Sequence, residues 1–318
     1  MTMNKAKLLY VAVTVFNVLI WGGIILTYYH ASMFLSLCLL AYGFGLRHGL
    51  DADHITAIDN VTRKLVQEGK NSIGVGLFFS LGHASVVILL TAAVAVASTR
   101  LANYLPILNK AGGFFGGIFS ASFLLIFGLI NFFIFYDVLK KRHQLKQGKE
   151  ITANIKITGF LSSFLTPLFS LINKSWHMFL VGFLFGLGFD TATEIALLSM
   201  SASRVAHQDI GWTIMILPIL FTVGMCLVDV TSGLFILKAC RWAFEGTERK
   251  LHYNLIITFF SFVTAFLIGG YEMIKTFAGY QSASFQFIST HSAMIGCFII
   301  GLFVVTFFKF RYSKLQAQ

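Results

Sequence analysis

Long apolar runs dominate this chain of 318 residues, and they restrict its fold more than any motif does. Eight can be drawn, at 8–28, 33–61, 73–97, 112–136, 176–200, 212–237, 255–277 and 287–308. Each is near the ~20 residues a helix needs to cross a bilayer. Inside hydrocarbon every backbone N–H and C=O must be paired within the protein, which leaves helices and closed barrels as spanning structures. Continuous apolar runs, as opposed to alternating ones, select helices. Composition agrees: 57% of residues are hydrophobic and 12% charged, against about 25% charged in soluble domains, and the mean hydropathy is +0.79. The expected fold is all-α, a polytopic membrane bundle of about eight transmembrane helices.

A net charge of +11 would suit a nucleic-acid binder, but its placement follows topology. With both termini set in the cytoplasm, only Arg100, Lys110, Arg204 and Lys275 fall outside, and Arg47 lies within a run. Every other Lys and Arg falls on the cytoplasmic side, Arg63 and Lys64 among them. That asymmetry is the positive-inside pattern. The basic excess reports orientation and contact with the lipid bilayer, and no nucleic acid is expected as a partner. The first run lacks a small-residue cleavage site and reads as a retained span. Most connections are short, so 1–318 forms one transmembrane domain. The longest connection, at about 137–175, opens with K-K-R-H-Q-L-K-Q-G-K and continues as a short apolar piece with Pro167. Such a piece suits the cytoplasmic interface. Cys38, Cys226, Cys240 and Cys297 form no CxxC pair and read as small buried hydrophobes.

The chain also echoes itself. The second run carries F-G-L-R-H-G-L-D-A-D-H-I and the fifth F-G-L-G-F-D-T-A-T-E-I. One helix after each comes a matching glycine, in Gly82-His83 and Gly224-Met225. Segments three spans apart cross the membrane in opposite senses. That is the pattern of an inverted repeat, with a site expected near the midplane at Gly-interrupted helices.

Ionisable side chains inside such runs cost about 2.5–3.5 kcal/mol each on insertion scales and mark functional sites by default. The second run holds Arg47, His48, Asp51, Asp53, His54 and Asp59; the third His83; the fifth Asp190 and Glu194; the sixth Asp229. Imidazole and carboxylate groups from several helices thus reach one depth. Gly43, Gly45 and Gly49 predict a kink or break in the second span. On a regular helix the ~100° step per residue puts His48, Asp51 and His54 within an arc of about 120°. A break lets Asp53 join them. Asp190 and Glu194, four apart, share a face. Imidazole with carboxylate suits nickel, cobalt, zinc, copper or iron, whereas magnesium and calcium prefer oxygen alone. Interhelical hydrogen bonds, worth about 0.6–2 kcal/mol, would account for one or two such residues. So many at one depth point to a dication site.

These residues resemble a known family, the single-polypeptide nickel/cobalt transporters (NiCoT) of eight spans. Its signature R-H-x-x-D-A-D-H-I matches Arg47 to Ile55, and I-D-N-x-T-R matches Ile58 to Arg63. F-S-L-G-H matches Phe79 to His83, L-G-F-D-T-A-T-E-I matches Leu187 to Ile195, and Y-N-L-x-I-T matches Tyr253 to Thr258. The likeness covers almost the whole chain. In the sixth span the family pattern is similar to G-M-x-x-x-D-T-x-D-G, and this chain reads G-M-C-L-V-D-V-T-S-G. Asp229 is kept, while Val230 and Ser232 stand in place of a Thr and a second Asp. The resemblance implies high-affinity uptake of Ni2+ or Co2+ across the cytoplasmic (inner) membrane.

The expected site is formed chiefly by His48, Asp53, His54 and His83, with Asp51 as a further ligand or support. Asp190, Glu194 and Asp229 would form the opposing wall, and Arg47 would hold the carboxylates apart when no metal is bound. The metal is cargo, and no cofactor is expected. An inside-negative potential favours entry by about 2.3 kcal/mol per charge per 100 mV. No ATPase subunit is implied, and the chain has no Walker A sequence. Two other readings stay open. One is export of the same metals by a related bundle, although such exporters often carry a His-rich cytoplasmic loop that is missing here. The other is an intramembrane enzyme, because His48 and Asp53 satisfy the H-x-x-x-x-D spacing of glycerolipid acyltransferases.

Overall fold

The computed structural model describes residues 2–102, 105–146, 172–188, 210–243, 248–278 and 290–312. Among these, the helices are α1 (Thr2–Tyr28), α2 (Ser32–Gly49), α3 (Ala52–Gln67), α4 (Val75–Ala102), α5 (Leu105–Lys146), α6 (Met178–Gly186), α7 (Ile210–Ala243), α8 (Glu248–Ala278) and α9 (Ser292–Tyr312). A 3-10 turn, Ser175–His177, leads into α6. Six helices are long and apolar enough to cross a bilayer, and α2 with α3, bent by 50° at a short break, makes a seventh. The fifth predicted span is described only as far as Gly188. No strand occurs among the described residues. The molecule is the helical membrane bundle expected from its apolar runs.

Two boundaries differ from the sequence reading. α5 does not stop at Tyr136 but runs through the basic segment to Lys146. Lys, Arg, Gln and Leu are good helix formers, so nothing there ends the helix. The rest of the expected loop, 147–171, lies outside the described residues. Arg63 and Lys64, expected on the cytoplasmic surface, are 2% and 1% exposed inside the bundle. The reason is that α3 continues to Gln67 without leaving the protein.

α3 reads A-D-H-I-T-A-I-D-N-V-T-R-K-L-V-Q, with polar residues on every side, yet Ala52 and all of 54–65 are buried. Such a helix survives in a membrane only where other helices enclose it and satisfy its polar groups. α4, α5, α7, α8 and α9 all pack on it. Its Ile55, Ile58, Val61 and Leu65 belong to one core with Phe127 and Ile130 of α5, Ile257 of α8 and Phe303 of α9. Its charges are matched inside that core. Arg63 Nε donates to Asp59 Oδ1 at 2.7 Å, and Ser261 Oγ of α8 donates to Asp59 Oδ2 at 2.5 Å. Lys64 Nζ donates to the Ile172 carbonyl at 2.5 Å, and the Asn131 side chain of α5 bonds that of Asn60. Removing one partner of a buried ion pair costs about 3–5 kcal/mol, because the other charge is stranded. At the periphery, α1 turns Leu8, Phe16, Leu19 and Leu26 outward, as a lipid-facing helix does.

Two helix crossings set the geometry of the centre. Where α2 meets α7, a Cβ on Gly45 would stand 2.0 Å from the Phe221 carbonyl oxygen, and one on Gly224 2.6 Å from that of Tyr42. Where α4 meets α6, a Cβ on Gly82 would stand 1.9 Å from the Phe179 carbonyl oxygen, and one on Gly182 1.9 Å from that of Phe79. No side chain fits at such distances. The two crossings share a spacing. Tyr42 precedes Gly45 by three, as Phe179 precedes Gly182, and Phe221 precedes Gly224 as Phe79 precedes Gly82. The α2/α7 contact is repeated by α6/α4, the arrangement that an inverted repeat of the second and third spans on the fifth and sixth produces.

The break itself rests on α9. A Cβ on Gly296 would stand 1.8 Å from the Leu50 carbonyl oxygen. Ser292 Oγ accepts the Ala52 N–H at 3.3 Å, satisfying one of the amides left open at the start of α3. The interruption expected near Gly49 is therefore present, one residue beyond it.

Candidate metal site

Three imidazoles converge from three helices. His48 closes α2, His54 sits in the first turn of α3, and His83 follows the glycine that lets α4 touch α6. One ring nitrogen from each lies within 4.8 Å of the others. The ring centroids are 4.6–4.8 Å apart.

Two carboxylates stand behind the triad. His48 Nδ1 donates to Asp51 Oδ2 at 2.9 Å, and His54 Nδ1 donates to Asp229 Oδ2 at 3.3 Å. Asp51 is free to do this because, at the N-cap position of α3, its side chain makes no capping bond. A carboxylate on one ring nitrogen fixes the tautomer and presents the other nitrogen's lone pair to a metal. The hydrogen-bond network thereby assigns protons to Nδ1 of His48 and His54. His48 Nε2, left as an acceptor, lies 3.0 Å from His83 Nε2, which donates to it. His54 Nε2, His83 Nδ1 and Asp229 Oδ1 are buried with no hydrogen-bond partner. Each such atom costs about 1–3 kcal/mol, and all three belong to this one cluster. Two carboxylates, three neutral imidazoles and unused lone pairs make a site that a dication would complete.

Two phenylalanines wall it. The Phe79 ring meets the His54 ring edge-on at 4.8 Å, and the Phe221 ring lies 5.6 Å from that of His48. Both are fully buried, and they occupy the matching positions of the two crossings. They keep water out, which strengthens the interaction of any charge held there. Sequence reasoning missed them. Their signal is F-x-x-G, present as Phe79 to Gly82 and as Phe221 to Gly224, at the same glycines that betray the internal echo.

The other expected residues are placed differently. Asp53 Oδ1 accepts the backbone N–H of His54 at 3.0 Å, in the first turn of α3, where the positive end of the helix dipole favours an acid. Its hydrogen bond is to backbone and not to the three converging imidazole nitrogens. Arg47 is exposed, its guanidinium donates to the Thr290 carbonyl at 3.5 Å, and it forms no ion pair among the described residues. Asp190 and Glu194 lie outside the described residues. Val230 is buried, and Ser232 Oγ donates to the Asp229 carbonyl one turn back at 3.1 Å. That hydroxyl serves its own helix, and bonds of this kind average about 0.6 kcal/mol in a membrane. Ser232→Ala is therefore expected to change nickel affinity by less than about threefold in a binding titration.

The family model for high-affinity nickel-transport proteins, NicO, matches residues 34–312. The chain is 42% identical over 304 residues to the high-affinity nickel-transport protein NixA of Helicobacter pylori strain J99, covering 89% of this chain and 91% of that one. It is 38% identical over 312 residues to the high-affinity nickel transport protein of Cupriavidus necator, covering 95% and 89%. It is 33% identical over 239 residues to the cobalt transport protein NhlF of Rhodococcus rhodochrous, covering 73% and 68%. No solved structure matches it. The family match extends from the start of α2 to the end of α9 and so takes in the histidine triad and both crossings. This multi-pass helical membrane protein belongs to the NicO family of high-affinity nickel-transport proteins.

Proposed function

We propose that the chain imports Ni2+, and Co2+ with it, across the cytoplasmic membrane, with His48, His54 and His83 as nitrogen ligands of the passing ion. The observation that carries this reading is the carboxylate-backed triangle of imidazoles at the helix break. A metal about 2.1 Å from both nitrogens would see the Nε2 atoms of His48 and His83, 3.0 Å apart, at about 90°. That angle suits the square-planar or octahedral geometry open to nickel better than the tetrahedral geometry usual for zinc. The same separation suits the N–H···N bond that holds the two rings together in the metal-free protein. When a dication takes Nε2 of His83, the proton of that ring moves to its unpartnered Nδ1 and the imidazole stays neutral.

The relatives named for nickel and for cobalt support that pair of cargoes. The match of 187–195 to the family signature makes Asp190 and Glu194 candidates for further oxygen donors to the ion, and Asp53 and Arg47 are assigned to its approach. The ion and the bilayer are the protein's partners. The membrane potential drives entry, so neither a cofactor nor an ATPase subunit takes part. The acyltransferase reading needs Asp53 to orient His48. That role belongs to Asp51, and Asp53 is bonded to backbone.

Cells lacking their own nickel uptake are expected, once they express this chain, to accumulate radioactive nickel, with cobalt competing strongly and manganese weakly. Net loss of metal, or raised metal tolerance without accumulation, would establish export instead. Imidazole binds metal only in its neutral form. Nickel binding by the purified protein is therefore expected to weaken as the pH falls from about 7.5 to about 5.5, since protons compete with the ion for the same nitrogens. Binding that strengthens on acidification would exclude the triad as the site.

A further inference from the structure

The metal site is sealed unevenly. On the side of the helix break, His48 and Asp51 keep 18% and 20% of their side-chain surface exposed. Along α3 in the other direction Asp59, Arg63 and Lys64 are all buried, between about one and three turns beyond His54. By the placement of Lys5, Lys7, Lys70 and Lys238, that direction leads to the cytoplasm. An ion leaving the triad along α3 meets Asp59, the only carboxylate this helix places beyond His54, and then two buried cations.

Arg63 is tied to several helices at once. Its Nε donates to Asp59 Oδ1 at 2.7 Å. Its guanidinium carbon stands 5.5 Å from the centroid of the Phe303 ring on α9, and its charge is felt by Cys240 of α7 and Tyr253 of α8. Ser261 of α8 takes the other oxygen of Asp59. Stability does not require such a pair, because apolar residues of the same volume often replace a buried ion pair without loss. The transport chemistry at the triad does not use it either. What distinguishes the pair is its position, across the inner way out.

We propose that Asp59 and Arg63 form the inner gate of this transporter: the guanidinium rests on Asp59 where a departing dication passes when the inner side opens. The proposal deepens the transport reading and rests on it. While the pair is closed, the positive charges of Arg63 and Lys64 lie between the bound ion and the cytoplasm. Each is matched by a carboxylate, Arg63 by Asp59 and Lys64 by Glu68, so the barrier is the packing around the closed pair and the engagement of Asp59 by Arg63. Opening lifts Arg63 away from Asp59, and the freed carboxylate receives the ion. One cation replaces another at Asp59, so that carboxylate is never left unmatched.

Cys240 is a built-in reporter. It is 1% exposed, on α7 within electrostatic range of both members of the pair, and opening uncovers it. In inside-out vesicles, alkylation of Cys240 by a membrane-impermeant maleimide can be read by mass spectrometry of the peptide. Labelling of the wild-type protein is expected to be slow without nickel and several-fold faster during an imposed nickel flux. The double variant Asp59→Asn/Arg63→Gln removes both charges and keeps the shape. It is expected to label at least about tenfold faster without nickel and to take up nickel at least about tenfold more slowly, while the purified protein still binds nickel in equilibrium dialysis. Cys240 labelling that neither nickel flux nor the double variant alters would overturn the gate and leave the pair as a structural tie. If the double variant does not fold, wild-type labelling with and without nickel flux decides alone. Failure of the wild-type protein to bind nickel in dialysis would instead strike the metal site itself.

Discussion

Replacing His83 with alanine is expected to lower nickel affinity by more than ~100-fold and to bring uptake down to background. Loss of a group that merely supports a metal ligand costs about 10–100-fold, and His83 is proposed as a ligand itself. The fold is expected to tolerate the change. His83 Nδ1 has no hydrogen-bond partner, so the substitution strands no buried group except His48 Nε2, which then resembles the already unpartnered His54 Nε2. A calorimetric titration of the purified variant, checked for a single species by gel filtration, measures the effect. Asp229→Asn provides the graded comparison. It keeps the shape behind His54 and removes the charge, so the loss expected is the ~10–100-fold of a supporting partner. Wild-type affinity in His83→Ala would remove His83 from the site. An Asp229→Asn loss as large as that of His83→Ala would make the carboxylate a ligand in its own right.

The second large effect is expected at a residue with no side chain. A Cβ on Gly82 would stand 1.9 Å from the Phe179 carbonyl oxygen, and backbone cannot rotate away as a side chain can. Gly82→Ala must separate α4 from α6. Overpacking of this kind costs about 1–3 kcal/mol even where side chains can adjust. The displaced residue next in sequence is His83, so nickel binding falls together with thermal stability. Gly43→Ala is the control. It lies on α2 two residues before a crossing glycine, but a Cβ there meets nothing within 4 Å. Its melting temperature is expected to equal or exceed that of the wild type, since Ala is the better helix former by about 1 kcal/mol. Equal stability and nickel affinity in Gly82→Ala and Gly43→Ala would show that the α4/α6 contact does not position the site.

Much of this architecture can be read from residue order. Apolar runs mark the spans, Gly49 marks the break, and the depth of His48, His54, His83 and Asp229 marks the site. What escapes such a reading is how partners are shared out. On an unbroken helix His48, Asp51 and His54 share a face. The break leaves Asp51 one turn below His48 and within 2.9 Å of it, while Asp53 turns to backbone. A one-dimensional pattern holds no information on where a helix resumes after a break. The positive-inside pattern puts Arg63 and Lys64 on the cytoplasmic side of their span, but it does not tell an exposed charge from one enclosed by other helices. The groups that enclose those charges are distant in sequence, with Ser261 lying 202 residues from Asp59 and the Ile172 carbonyl 108 residues from Lys64. The phenylalanine walls hide for the opposite reason: in a chain with 35 Phe, two more carry no signal until their spacing from a glycine is compared.

The enclosure of α3 also bears on how the protein is made. The segment carries Asp53, Asp59, Arg63 and Lys64, and at about 2.5–3.5 kcal/mol per central charge it cannot partition into lipid by itself. Yet it leaves the ribosome before α5, α7, α8 and α9 exist to surround it. It must be held at the membrane surface or within the insertion machinery until those helices arrive. The order in which this bundle closes is therefore not the order in which it is translated: α9, which follows α3 in the chain and brings Phe303 to Arg63 and Gly296 to Leu50, completes its shelter.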